Sequence, residues 1–191
     1  MVILTKKLAA ETGTNKAQGG IAAVLDKADR FSAHVQDTFD AGSLHNNRKA
    51  VEFMVKNGPA AVMQLVEFGV PFATDKNGKL LLTKEGGHHA RRIAFVGDYT
   101  GMEIERILVE KIKKHSNIEL LEHTFALDLL VKNKTCYGVQ VIHAGKIRNL
   151  YATNTVLATG GLGQIYKHTT NPPISTGDGI AMGLRAGLSV K

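Results

Sequence analysis

The chain has 191 residues, 43% of them hydrophobic, which suffices for one globular domain with a substantial core. A formal net charge of +7 favours anionic partners, from nucleic acid to a dinucleotide or a dicarboxylate, without choosing among them. The single cysteine excludes an internal disulfide and fits a reducing compartment, and no run of about 18 or more apolar residues marks a membrane-spanning helix.

The opening MVILTKK is too short for the apolar core of a secretory signal, so a cytoplasmic location is expected. Val2 to Thr5 reads as a buried strand, and Glu11 to Gly20 as a loop ending in AQGGI. From about Asp29 to Gly69 the pairs Val35/Phe39, Val51/Val55 and Val62/Val66 recur at helical spacing. Gly42 and the Gly58-Pro59 pair would divide this stretch into three short helices, with Gly69 capping the last. Lys76-Asn77-Gly78 suggests a tight hairpin turn.

Residues 83–99, TKEGGHHARRIAFVGDY, are polar and aperiodic, as a functional loop would be. Thr100 and Glu103 have capping-box spacing before the helical stripe Ile104, Ile107, Leu108 and Ile112, which should stop near Asn117. The basic KIKKH at 111–115 lies in no recognisable nucleic-acid module and reads as a solvated helix face, so no nucleic-acid partner is expected. IELLEH, FALDLLV, CYGVQVIH, KIRNLYA and NTVLAT then read as strands, forming an antiparallel meander over about 118–152. TVLATGG leads from a strand through a glycine-rich loop to a helix at GIAMGLRAGL.

This order argues an α/β fold with α+β elements. The first strand has no βα unit before it, although a parallel sheet needs neighbours to cover it, so it is either an edge strand or part of a fragment.

Gly19-Gly20, Gly160-Gly161 and Gly177-Asp178-Gly179 are three places where backbone can approach a ligand; each is weak alone, and together they suggest phosphate binding. No G-x-G-x-x-G follows the first strand. His88, His89, Arg91 and Arg92 suit either a dicarboxylate or a scaffold role. Adjacent histidines without convergent third and fourth ligands predict no metal site. Cys136, in an apolar strand pattern, reads as an inert core residue, and no catalytic triad is visible.

The strings LTKK at 4–7, AQGGIAAV at 17–24, HVQDTFDAG at 34–42, LTKEGGHHARRI at 82–93, GDYTG at 97–101, VLATGG at 156–161 and TTNPPISTGDGIAMGLRAG at 169–187 resemble the L-aspartate oxidase family. AQGGI, ATGG and TGDG are shared with the wider succinate dehydrogenase and fumarate reductase flavoproteins, whereas TKEGGHHARRI is closer to the aspartate oxidases. The resemblance implies that residues 1–191 are a partial Rossmann-like FAD-binding domain, with a helical insertion at about 30–70 and the β-meander. It further implies that the N-terminal βα unit, the capping domain and the C-terminal helical domain are absent. The respiratory enzymes attach flavin to a histidine shortly before AQGG; here that stretch is Thr12-Gly13-Thr14-Asn15, which implies noncovalent FAD.

By the same resemblance Lys6, Gly13, Thr14, Asn15, Lys16, Ala17, Gln18, Gly19, Gly20 and Asp178 contact the cofactor, and Glu85 orients the substrate amino group. The residues alone leave blander readings open: Lys6 as a solvated strand end, Gly13 as a turn glycine, Asp178 as a helix N-cap and Glu85 as a solvated loop carboxylate. The implied activity is FAD-dependent oxidation of L-aspartate to iminoaspartate in de novo NAD biosynthesis, with oxygen or fumarate as electron acceptor and quinolinate synthase as a candidate partner. A soluble fumarate reductase or succinate dehydrogenase relative is the nearest alternative, and a non-catalytic anion-binding remnant the next. Without the pyrophosphate fingerprint and the capping domain, the chain by itself is expected to hold FAD weakly and to be inactive.

Overall fold

The computed structural model describes residues 1–189. In chain order the elements are β1 (Val2–Leu4), β2 (Gly20–Ala22), α1 (Phe31–Ala41), α2 (Arg48–Phe68), β3 (Leu82–Thr83) and β4 (Ile93–Phe95). There follow α3 (Thr100–Lys114), β5 (Glu119–Leu121), β6 (Thr124–Lys132), β7 (Thr135–His143), β8 (Lys146–Tyr151) and α4 (Asp178–Arg185). They fall into two compact units, one of Met1–Gly13 with Val109–Lys191 and the other Thr14–Leu108. The fold class is mixed α/β, as the sequence predicts. No described helix is long and apolar enough to cross a membrane.

In the unit Thr14–Leu108, β4 is the central strand of an antiparallel sheet ordered β2-β4-β3. Its Ala94 joins Ala23, Val62, Val70, Phe72, Val96 and Ile104 in one buried cluster, while Phe39, Val51 and Val55 close a second between α1 and α2. The turn before β3 is the expected one: Gly78 has φ +79°, and Asp75 Oδ1 accepts the backbone N–H groups of Asn77 and Lys79. The supposed loop at 83–99 is narrower than expected, because Ile93–Phe95 forms the central strand; three residues are too few to show a period.

The helical stretch contains two helices rather than three. Asn47 caps α2 by accepting from the Ala50 N–H at 3.2 Å, and the helix ends in a left-handed Gly69 with Val70 N–H donating to Leu65 O at 3.0 Å. Between these caps it continues unbroken past Pro59. Val51, Val55 and Val62 form a single buried stripe, and that burial outweighs the hydrogen bond a proline cannot donate. Gly58 permits close packing instead of a break: a Cβ there would lie 3.4 Å from that of Ala23.

The other unit pairs β1 with β5 in parallel, Val2 opposite Glu119 and Leu4 opposite Leu121. The meander has three strands, β6-β7-β8, with one register shift between Ala126 and Asp128 and another between Leu129 and Val131. IELLEH therefore belongs beside β1, and NTVLAT forms no strand: 155–160 makes no ladder with any described residue, and Val156 is exposed. High β-propensity does not hold a strand that lacks a neighbour. The helix at the C-terminal end forms as expected and packs on β6, with Arg185 donating to Asp128 Oδ2 at 2.9 Å and to Leu127 O at 2.8 Å.

Candidate functional site

Within the unit containing β1, the strings LTKK, ATGG and TGDG converge. Lys6 Nζ donates to Asp178 Oδ2 at 2.6 Å and to Thr176 Oγ1 at 2.5 Å, and the Thr176 hydroxyl donates to Asp178 Oδ2 at 2.8 Å. Burial pushes the Asp178 carboxyl up, but the hydrogen bonds from Lys6 and Thr176 and the Lys6 charge outweigh it, leaving its pKa below the usual range. Asp178 is the first residue of α4, not its N-cap; Gly177 caps, at φ +78°. Gly177 N–H donates to Gly161 O at 3.1 Å, and Gly179 abuts Thr159 so closely that a Cβ would meet its hydroxyl at 1.8 Å. The two glycine motifs are thus one packed structure. Around Gly13, Gly160 and Gly161 a Cβ would meet nothing within 4 Å, so the backbone there is bare, and Gly161 is tied to the residue preceding Asp178. An open concavity of about 680 Å³ lined by Lys167, His168, Thr169, Thr170 and Asn171 lies in the same unit and contains none of the expected site residues.

Within Thr14–Leu108, AQGG, TKEGG and GDYTG converge in turn. Thr14–Lys16 is one 3-10 turn, closed by Ala17 N–H donating to Thr14 O at 3.0 Å. The start of α3 locks this segment: Gly101 N–H donates to Ala17 O at 2.9 Å, and Thr100 Oγ1 donates to Gly19 O at 2.5 Å while accepting from Val96 N–H at 2.8 Å. Thr100 is therefore occupied with the loop and does not form the expected capping box; Glu103 instead pairs with Arg106. Gln18, Gly19, Thr83, Glu85, Phe95, Gly97 and Asp98 line a cavity of about 460 Å³. The Glu85 carboxylate lies over Gly19, where any Cβ would come within 2.6 Å of Oε1. Gly20 is already in β2, and its close approach to Ala94 O leaves no room for a side chain.

Of the basic residues in the loop, Arg92 has a structural role. It is fully buried, donates through Nε and Nη2 to both oxygens of Asp29 at 2.9 and 2.8 Å, and through Nη1 to Asp37 Oδ2 at 2.7 Å. Asp37 also accepts the His89 backbone N–H at 2.9 Å and pairs with the His89 ring. Burial pulls the Asp37 carboxyl up, yet the His89 hydrogen bonds and the Arg92 and His89 charges leave it below its ordinary value. Neighbouring His34 is held low by burial and by the charges of Arg92 and His88, against the opposing pull of Asp29 and Asp37. Asp29 and Asp37 were not singled out from the sequence, although a buried arginine requires carboxylates somewhere.

Residues 1–191 match the FAD binding domain family throughout. Among curated proteins the chain is 44% identical to L-aspartate oxidase 1 of Ralstonia nicotianae, across 100% of this chain and 38% of that protein. It is 41% identical to the chloroplastic L-aspartate oxidase 2-b of Nicotiana tabacum, across 97% and 30%. Among solved structures, a quinol fumarate reductase chain of E. coli superposes with a TM-score of 0.92 at 30% identity, across 96% of this chain and 32% of that one. The chain thus spans at most 38% of the curated relatives' length. Motifs that converge around bare backbone, a whole-length family match and this structural likeness agree: the chain belongs to the FAD binding domain family, whose cofactor is FAD.

Proposed function

We propose that this chain contributes the flavin- and substrate-facing residues of an enzyme that oxidises L-aspartate to iminoaspartate for NAD biosynthesis. The observation that carries the reading is the Glu85 carboxylate, held over Gly19 at a cavity of about 460 Å³ and borne on the segment that most resembles the aspartate oxidases. A carboxylate placed there accepts a hydrogen bond from a substrate ammonium group and so orients the amino-bearing carbon.

Lys6, Gly13 to Gly20 and Asp178 are the residues assigned to the cofactor. Gly13 leaves its backbone bare, and the Lys6–Asp178 pair presents one fixed donor and one acceptor to a polyhydroxylated, phosphate-bearing group. FAD, when bound, supplies the two-electron acceptor. Oxygen or fumarate as the terminal acceptor, a cytoplasmic location and supply of iminoaspartate to quinolinate synthase belong to the same proposal.

The test is titration with FAD, read by flavin fluorescence, of a version extended to the full length of the relatives, followed by anaerobic addition of L-aspartate or succinate to that FAD-loaded protein with the visible flavin band monitored. Saturable binding weakened at least tenfold by Lys6→Met, with bleaching by aspartate alone, supports the proposal. Bleaching by succinate instead would favour a fumarate reductase relative, the second reading that the structural likeness supports. Absence of saturable FAD binding would overturn the assignment of these residues as a cofactor site in this chain.

A further inference from the structure

Glu85 lies on an exposed loop, and exposed loop carboxylates are ordinarily free to wander. This one has a rigid connection to a buried anchor. Glu85-Gly86-Gly87-His88 is a closed turn, with His88 N–H donating to Glu85 O at 3.3 Å and Gly87 at φ +83°, the left-handed third position that a type II turn demands. The next residue, His89, is fastened twice to Asp37, through its backbone N–H at 2.9 Å and through its ring Nδ1. The Asp37 side chain is 2% exposed, although the His89 ring that it holds is 77% exposed. Beyond them Arg92 is fixed by Asp29 and Asp37 and, through its N–H, by Thr83 O at 3.1 Å. Both ends of the segment 84–92 are therefore tied down, one of them by a carboxylate that never reaches the cavity.

We infer that Asp37 is a positioning residue: it clamps the loop 84–92 to α1 through His89 and Arg92 and thereby holds the Glu85 carboxylate over Gly19. The inference rests on the reading of Glu85 as the substrate-orienting group, but the clamp has consequences of its own. Asp37 spends its acceptor sites on His89 and Arg92, and the loop 84–92 gains three hydrogen bonds to one charged acceptor, a stronger class than neutral pairs. Losing one such bond raises the open population of the loop about tenfold or more. The groups facing Asp37 are Arg92, His89 and His34, with Asp29 sharing Arg92; His34 and His88 stand with ring centroids 6.2 Å apart and Nδ1 atoms buried without partners among the described residues.

The experiment compares wild type, Glu85→Gln, Asp37→Asn and His89→Ala by residue-resolved amide spectra and hydrogen exchange across pH. His89 is exposed, so His89→Ala serves should Asp37→Asn fail to fold. In the wild type the Gly19 amide signal should carry a pH-dependent shift that Glu85→Gln abolishes. Asp37→Asn should abolish it too and speed exchange at 85–89 about tenfold, with α2 protection unchanged, and His89→Ala should do the same in part. A Gly19 shift that persists in both clamp variants, or that is absent from the wild type, overturns the inference. The substrate role of Glu85 is judged separately by dicarboxylate affinity of the FAD-loaded protein: Glu85→Gln with unchanged affinity removes that role while leaving the clamp measurable.

Discussion

Two residues carry predictions of opposite kind. Gly101, the second residue of α3, lies directly against the segment 14–17, and a Cβ there would meet Thr14 O at 2.0 Å and the Ala17 Cβ at 2.8 Å. Backbone cannot yield as a flexible side chain does, so Gly101→Ala should destabilise by about 1–3 kcal/mol and displace 14–19, as read by urea denaturation and amide shifts. Lys6 acts through charge. The folded Asp178 carboxyl sits below its unfolded value of about 3.9, so its contribution to stability is complete above that pH and is lost as pH falls through the folded value. In Lys6→Met the partner is gone, and the drop in the urea midpoint between pH 6 and pH 3 should shrink; an unchanged acid limb would mean that the pair contributes nothing to folding.

At the scale of elements, α2 is where local rules and packing disagree. Pro59 sits well inside a helix of 21 residues. Pro59→Ala should restore a helix hydrogen bond at some cost in unfolded-chain entropy, a net gain of about 1–2 kcal/mol visible as a higher denaturation midpoint. A lower midpoint would mean that the ring itself packs in a way alanine cannot replace. The same conflict explains what the sequence leaves hidden. Val51, Val55 and Val62 announce a helix, but whether a Gly-Pro pair divides it depends on Ala23, which is distant in sequence. Ile93–Phe95 is legible only once its neighbours in β2 and β3 are known, and NTVLAT reads as a strand because propensity does not report whether a partner exists. The site was legible in parts: LTKK, AQGG, TKEGG and TGDG are visible as strings, yet the Lys6–Asp178 pair spans 172 positions, and the carboxylates of Asp29 and Asp37 cannot be matched to Arg92 without the fold.

On the scale of the whole molecule, one unit is contiguous and the other is assembled from both ends of the chain. Strand β1 contributes to the discontinuous unit through three residues paired with β5, followed by Thr5, whose N–H donates to Leu121 O at 3.0 Å and whose O accepts from Thr124 N–H at 2.8 Å. Deleting residues 1–5 should strip exchange protection from 119–124 while leaving that of α2 intact; loss of both together would mean that the two units unfold as one. The parallel pairing also bears on biosynthesis. At about 5–20 residues per second, roughly 6–23 s pass between emergence of Val2 and that of its partner Glu119. The contiguous unit has that interval to fold, while β1 still lacks β5. Nascent chains of this protein should therefore be most exposed to chaperones, and most prone to aggregate, before β5 is made.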